Sequence, residues 1–417
     1  MPSVAYYTLG CKVNQYETEK LREQIESFGF NSVPFSQKAD VYIINTCSVT
    51  ETADSKSRAA VRKAIKQNKS AYIVVTGCYS EISPFVFSNI DGVDLIVSND
   101  EKDTIPHRLS LKFTTTKMSS NIKTKPRTRT RAVVKVQDGC DNFCSYCIIP
   151  YARNTMTKRD INSVLDEVKM LADFGYKEIV LTGIRLGKFS DNNSTLTELV
   201  NKCTIIDGIE RIRLSSIEPW EINDELLSIF ESEKVCRHLH IPLQSGDDNI
   251  LLLMNRKYTS QEYLEIIKSI RKKVAEIAIT TDVIVGFPTE TQHAFQNTID
   301  IIKSAKFSRL HVFRYSKRPR TKAEKMIDDV SIQEKQHRAK ILSDIDIHLR
   351  KEFAEQFMGK KLKVLVERKH KELNMHTGFT DNYITAFIKD KYIPSGSIVE
   401  GNIISVNDDG SVIMEVE

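Results

Sequence analysis

Three cysteines, Cys140, Cys144 and Cys147, fall within the short stretch GCDNFCSYCIIPYARN, residues 139–154. A closed zinc site or a fully ligated iron–sulfur cluster takes four donors, so this triplet is one short. Two chemistries suit it. A zinc ion would draw its fourth donor from a His or Asp elsewhere. An iron–sulfur cube held at three corners would instead keep one iron open, where a molecule with a chelating amine and carboxylate can bind. A second triplet, Cys11, Cys47 and Cys78, is spread along the chain but repeats one design. An apolar, β-branched or aromatic run is followed by a threonine and then the cysteine, in AYYTLGC, VYIINTC and YIVVTGC. The remaining cysteines, Cys203 and Cys236, stand in no pattern and read as small buried hydrophobes.

The elements needed to bring the second triplet together are legible around it. Thirty-six residues separate Cys11 from Cys47, and 31 separate Cys47 from Cys78; a βαβ crossover takes about 30. The segment NQYETEKLREQIESFG predicts a helix, with Asn14 and Glu17 spaced as a capping box. Leu21, Ile25 and Phe28 share one face, and Gly29 stops the helix. TETADSKSRAAVRKAIK follows the second strand in the same way. Consecutive units of this kind return the chain to one edge of a parallel sheet, where ligand sites lie beyond the carboxyl ends of the strands. All three sulfurs can meet there.

Residues 117–131, KMSSNIKTKPRTRTR, carry six cations and no apolar periodicity, and no carboxylate occurs between Asp103 and Asp138. This reads as a basic linker and a domain boundary. Beyond it, RAVVKVQ, EIVLTG, RIRLSS, HLHIPL, AITTDVIVGF and RLHVF predict six strands alternating with amphipathic helices, for instance residues 160–174. Six such units fit a partial βα barrel, whose functional residues cluster at the C-terminal ends of the strands. The first triplet follows the first of these strands, and no second CxxC or nearby His completes a tetrahedral set. Ser331 and Glu334 cap a long helix striped by Leu342, Ile345, Leu349, Phe353 and Phe357, which Gly359 ends. The last stretch reads as a small all-β barrel of the OB kind, with KLKVLVER, YITAFIK, SIVEGNIISV and SVIMEVE as strands and Asp409–Gly410 as a hairpin turn. The expected class is therefore α/β. It comprises an open parallel N-terminal domain (1–116), the linker (117–130), a partial (βα)6 barrel (131–357) and the small barrel (358–417).

With 417 residues, 41% hydrophobic and 28% charged, at a net charge of +5, the composition is that of an ordinary globular protein. No apolar run approaches the length that spans a bilayer, and the N-terminus reads as a strand rather than a signal peptide. A cytoplasmic location without membrane association is expected, and there disulfides are disfavoured.

CxxxCxxC with an aromatic, Tyr146, before its last cysteine resembles the motif of the radical S-adenosylmethionine (SAM) enzymes. That resemblance implies a [4Fe-4S] cluster on Cys140, Cys144 and Cys147. It also implies SAM contacts from Thr182 and Gly183 after the second barrel strand, Ser216 and Glu218 after the third, Gln244 after the fourth, and Gly286, where backbone can approach an adenine. The chain as a whole resembles the methylthiotransferases, which join a three-cysteine domain, a radical SAM barrel and a C-terminal TRAM domain. TLGCKVNQYETE, IINTCSVTETADSKSR, VTGCYSE, IPLQSGDDNIL, TTDVIVGFPTET, LHVFRYSKRP and GFTDNYI are similar to the branch that modifies N6-threonylcarbamoyladenosine at position 37 of tRNA. The resemblance implies a second [4Fe-4S] cluster on Cys11, Cys47 and Cys78, which holds the sulfur to be delivered. It implies a second SAM as methyl donor, a low-potential electron donor, a sulfur source and the tRNA anticodon loop as partner. Lys123, Lys125, Arg127 and Arg129 of the linker, with Lys360, Lys361 and Lys363, would grip phosphates. Sister activities on isopentenyladenosine or a ribosomal-protein aspartate share this pattern. A non-catalytic RNA-binding or redox-sensing protein holding zinc or a regulatory cluster is the alternative of another class. The chain departs from the family in NTMTKRD after PYAR, in Thr289 where a glycine is usual, and in Arg314 and Arg320 where proline and glycine are usual.

Overall fold

The computed structural model describes residues 1–115, 129–191, 194–370, 372–389 and 392–416. Lys117, Lys123, Lys125 and Arg127 of the basic linker lie outside them. The chain forms two compact units. One holds residues 1–115, 138–157 and 316–324, and the other holds 129–137, 158–315 and the remainder from 325. All six cysteines of the two triplets therefore belong to the first unit.

The first unit is built on a parallel sheet of β1 (Ser3–Thr8), β2 (Asn31–Val33), β3 (Val41–Thr46), β4 (Tyr72–Gly77) and β5 (Leu95–Val97), in the order β2-β1-β3-β4-β5. The central strand β3, VYIINT, is buried at every position, as expected of a parallel strand covered on both faces. Helix α1 (Lys12–Ser27) brings Leu21 and Ile25 against Val4, Val41, Ile43 and Val74. On the opposite face α2 (Glu51–Gln67) brings Ala60, Val61 and Ala64 against Ala5, Tyr42, Ile44 and Val75. The register pairs Thr8 with Asn45 and Thr46 with Gly77, so β1, β3 and β4 end nearly level. Gly77 turns the chain into α3 (Cys78–Ile82) at φ +105°, where a Cβ would stand 2.4 Å from the Thr46 carbonyl oxygen; only glycine fits there.

The expected capping box is not formed. Helix α1 starts earlier, with Cys11 in the N-cap position. Asn14 and Glu17 lie inside the helix, buried, and their side chains are engaged elsewhere, as described below.

In the second unit, six parallel strands follow in chain order: β6 (Arg131–Lys135), β7 (Glu178–Thr182), β8 (Arg211–Leu214), β9 (His238–His240), β10 (Ala278–Val285) and β11 (Arg309–Arg314). They form two three-stranded sheets, β8-β7-β6 and β9-β10-β11, joined by single bridges from Ile212 to Val235 and from Ser216 to His240. This is the expected partial barrel. Alternate residues such as Ala132, Val134, Ile179, Leu181, Ile212, Leu214, Leu239 and Ile279 enter one large core shared with the helices. The other alternation, Glu178, Arg211, Arg213, His238, His240 and Asp282, faces inward. Asp160 caps α5 (Ile161–Asp173), numbered after α4 (Ile149–Ala152) of the first unit. Ser331 caps α6 (Ile332–Glu355) by accepting the Glu334 N–H.

The C-terminal strands β12 (Lys361–His370), β13 (Met375–Thr380), β14 (Thr385–Lys389), β15 (Ile398–Val406) and β16 (Val412–Val416) close a barrel in the order β12-β13-β14-β16-β15. Strand β13, MHTGFT, is absent from the sequence-based strands. It has no apolar alternation, although four of its six positions are buried.

Two of the departures from the family pattern fall where backbone geometry favours glycine. Thr289 and Arg320 both sit at φ +68°, a left-handed conformation that is costly for residues with a Cβ. Thr289 is held there by its N–H bond to Asp329 Oδ1, 2.8 Å away. Thr289→Gly is expected to stabilise the protein by about 0.5–1 kcal/mol, the relief of strain less the added chain entropy of glycine. An unchanged or lower urea midpoint would contradict this.

Candidate functional site

Cys11, Cys47 and Cys78 follow the level ends of β1, β3 and β4. A Cβ on Gly10 would meet Cys47 Cβ at 3.0 Å and Sγ at 3.1 Å, which places Cys47 directly over the residue that precedes Cys11. Burial, with added repulsion from Cys78 and Cys11, pushes the Cys47 thiol up to about 12. The Cys11 Sγ stands 3.6 Å from Asn14 Oδ1. The three sulfurs thus share one surface at the strand ends.

The loop carrying Cys140, Cys144 and Cys147 is folded tightly. The Asn142 N–H points at Cys140 Sγ at 3.5 Å, and the Cys147 N–H donates to the Cys144 carbonyl at 2.9 Å. Phe143 lies at φ +45°, and its ring meets Tyr151 edge-on at 5.8 Å. Cys144 is buried, and Cys140 and Cys147 are half-buried, as is Tyr146. The Ser145 hydroxyl is buried with no hydrogen-bond partner among the described residues. Helix α4 follows at once and packs Ile148 and Ala152 against Cys78 and Ile82 of α3. Cys78 of one triplet therefore shares a hydrophobic cluster with the helix that follows the other.

Arg153, directly after α4, is a residue that sequence reasoning missed. Its side chain is only 2% exposed. The Nη1 and Nη2 atoms grip Glu17 at 2.8 and 2.9 Å, and Nη1 also meets both oxygens of Asp138 at 2.9 and 2.8 Å. Nη2 donates to Asn14 Oδ1 at 3.0 Å, and Nε donates to Cys78 Sγ at 3.4 Å. Lys102 closes the set through a short ion pair with Glu17. Burial works against the Arg153 charge, but Cys78, Glu17 and Asp138 outweigh it and hold the guanidinium charged. Asn14 also donates to the carbonyls of Leu9 and Thr46, so it ties the ends of β1 and β3 to the same network. The signal in the sequence was Asn14 and Glu17 at helical spacing just after Cys11. The same pattern reads as a cap when its partner is not in view.

In the second unit the expected SAM contacts stand at the carboxyl ends of the barrel strands. Gly183 has no room for a side chain, since a Cβ would lie 2.9 Å from Gln137 Oε1; that oxygen accepts the Arg185 N–H at 2.7 Å. Thr182 is buried beside it. Ser216 bridges to His240, and the adjoining Ser215 hydroxyl is buried without a partner among the described residues. Glu218 is paired with the buried guanidinium of Arg256. Arg256 stacks over Trp220 at 5.1 Å, with Arg185 over the same ring at 6.0 Å, and Arg185 pairs with Glu221 at 2.6 Å. Arg185, Trp220, Glu221 and Arg256 form an ionic cluster that the sequence reading left out. Gln244 adopts φ +67° with its backbone fixed to β10 through Asp282 and Ile284. Gly286 differs from expectation. Its N–H donates to Glu290 Oε2 at 2.6 Å, and a Cβ would lie 2.2 Å from Lys335 Cγ. The need for glycine there is set by packing inside the protein.

Of the expected phosphate-gripping cations, Arg129, Lys360, Lys361 and Lys363 are exposed. Lys360 pairs with Glu276 at 2.5 Å. Arg131, the last linker cation, is committed to Glu367 at 2.8 Å and stacked 4.8 Å over Phe379.

The donor sets fit iron–sulfur clusters better than zinc. N–H groups aimed at Cys140 and Cys78 suit cluster-bound sulfur, and the unpartnered Ser145 hydroxyl is a polar group waiting for a partner beside Cys144.

Two family models match the chain: the radical SAM superfamily over residues 134–302 and uncharacterized protein family UPF0004 over residues 3–98. The threonylcarbamoyladenosine tRNA methylthiotransferase MtaB of Bacillus subtilis (strain 168) is 39% identical, covering 100% of this chain and 98% of the relative. The tRNA-2-methylthio-N(6)-dimethylallyladenosine synthase of Finegoldia magna is 32% identical, covering 97% and 93%. Among solved structures, the radical SAM methyltransferase TsrM of Kitasatospora setae, with cobalamin and a [4Fe-4S] cluster bound, shares the fold. It has a TM-score of 0.58 at 14% identity over 77% of each chain.

Proposed function

This chain belongs to the radical SAM methylthiotransferase family, and we propose that it places a methylthio group on C2 of N6-threonylcarbamoyladenosine-37 in the anticodon loop of tRNA. It is a transferase that uses SAM and two [4Fe-4S] clusters. The observation that carries the reading is the end-to-end match to a relative named for that activity, in a chain that keeps both cysteine triplets. In this reading Cys140, Cys144 and Cys147 hold the cluster that binds SAM, and Cys11, Cys47 and Cys78 hold the auxiliary cluster. When bound, the first supplies the electron that cleaves SAM and opens an otherwise inert C–H bond to reaction.

The chain's own residues position the reactants and keep water out. The Asn142 N–H and the turn at Cys144–Cys147 fix the thiols of the loop, and Tyr146 offers an aromatic face beside them. Thr182, Gly183, Ser216, Glu218 and Gln244 rim the barrel as SAM contacts. Arg256 fixes the Glu218 carboxylate, so that group reaches its ligand without rearranging. The target base sits in an RNA loop and must be splayed from its stack, at a cost of a few kcal/mol that stacking on an aromatic returns. Arg129, Lys361 and Lys363, with the linker cations Lys123, Lys125 and Arg127, supply charge for the phosphates. A low-potential donor and a sulfur source complete the partners. No described helix is long and apolar enough to cross a membrane; the proposed tRNA substrate supports a cytoplasmic location.

Nucleosides from tRNA of a strain lacking this protein, and any second enzyme of its branch, are expected to lose 2-methylthio-N6-threonylcarbamoyladenosine and to accumulate its unthiolated parent. Mass spectrometry reads both. Persistence of the modified nucleoside would reject the proposal. Loss of the methylthio group from isopentenyladenosine instead would move the substrate to the sister branch.

A further inference from the structure

We propose that Arg153 is a positioning residue of the auxiliary centre, which clamps the base of the CxxxCxxC loop and donates its Nε–H to the Cys78 sulfur. The inference rests on the reading that Cys11, Cys47 and Cys78 hold a cluster.

A purely structural ion pair would need only the two terminal nitrogens. Those already satisfy Glu17, Asp138 and Asn14. The remaining proton, on Nε, has a sulfur as its acceptor. Each neighbour of the guanidinium also belongs to a cysteine-bearing segment. Asn14 and Glu17 lie one turn and less than two turns beyond Cys11. Asp138 stands two residues before Cys140 and accepts the Gly139 N–H at 2.8 Å. Arg153 itself lies just after α4, which packs on Cys78 and Ile82. One side chain therefore holds the entry and exit of one triplet's loop against two members of the other triplet.

The charges give the arrangement a redox consequence. Arg153 and Lys102 balance Glu17 and Asp138. Taking up an electron makes a cluster more negative. An N–H donor on a ligand sulfur, carried by a positive group, favours that reduced state. Removing the guanidinium takes away the donor and one positive charge, so both changes lower the potential.

The test uses full-length protein carrying Cys140→Ala, Cys144→Ala and Cys147→Ala, reconstituted anaerobically with iron and sulfide so that only the auxiliary cluster forms. Potentials are read by titration followed by electron paramagnetic resonance. Against this parent, Arg153→Gln is expected to lower the ratio of reduced to oxidised cluster at a fixed potential by about tenfold, which is about 59 mV for a one-electron couple. Arg153→Lys, which keeps the charge but cannot serve both carboxylates and the sulfur, should fall between the two. Equal potentials in all three proteins would overturn the proposal. If Arg153→Gln fails to hold iron, Arg153→Lys decides alone, and a native potential at native iron content overturns it. A parent that binds no iron would instead reject the cysteine assignment, and the role of Arg153 with it, before any Arg153 variant is compared.

Discussion

Cys144→Ala is expected to lower reductant-dependent SAM cleavage by more than about 100-fold, while iron at the auxiliary centre is retained. Losing even an outer-shell partner of a metal ligand costs up to about 100-fold, and on the proposed assignment a ligand itself is removed from a set that is already one short of four. The Cys144 carbonyl accepts the Cys147 N–H, and alanine keeps that bond of the turn. The loop base is held by Asp138 on Arg153, and the Ser145 carbonyl accepts the Ala323 N–H at 2.8 Å. The lost thiol volume is small. Iron content per chain should fall to that of a single cluster, and formation of 5′-deoxyadenosine from SAM should drop to background. Cleavage at the native rate would place the SAM cluster elsewhere, and total loss of iron would mean the two centres are not independent.

The parts of this protein that were legible in the sequence are those whose cause is local. Parallel strands such as VYIINT announce themselves because both faces must be apolar, and the spacing of Cys140, Cys144 and Cys147 is a property of eight consecutive residues. The six barrel strands were readable for the same reason. Where the cause is distant, the sequence misled or said nothing. Asn14 and Glu17 have the spacing of a capping box whether they cap a helix or bind a guanidinium, and their partner Arg153 lies 136 residues from Glu17. Gly286 marks a close approach, but the group that approaches is the stem of Lys335, invisible until α6 is placed. Strand β13 is held by its ladder to β12 and β14, so MHTGFT needs no alternation of its own. Arg131 reads as one more linker cation, yet it is drawn into a cluster built from distant segments of the second unit.

That cluster carries the second large effect. Glu178→Gln is expected to destabilise the second unit by about 3–5 kcal/mol, the usual loss when one partner of a buried ion pair is removed. Glu178 is fully buried. It pairs with Arg213 Nε at 2.8 Å, and Arg211 Nη1 lies 3.6 Å away. These arginines also hold the C-terminal barrel. Arg211 donates to the carbonyls of Phe379 and Lys363 at 3.0 and 2.6 Å. Arg213 donates to Asp381 and Thr380 at 2.9 and 3.1 Å and stacks 4.9 Å over Tyr383. Without the carboxylate, the buried guanidinium groups of Arg211 and Arg213 are left on carbonyls and the Tyr383 ring, and the anchoring of β12 and β13 loosens. Burial alone would raise the Glu178 carboxyl, but Arg213, Arg131 and Arg211 outweigh it and hold it below the ordinary carboxylate value. A carboxyl lowered in the folded state contributes stability that is complete above its unfolded value, about 4.3. That contribution fades as the pH falls through the lower folded value. Urea unfolding of native protein and Glu178→Gln should therefore give a constant gap above that pH and a shrinking one below it. A native midpoint for the variant at neutral pH would mean that the three arginines hold the small barrel without their shared counter-charge.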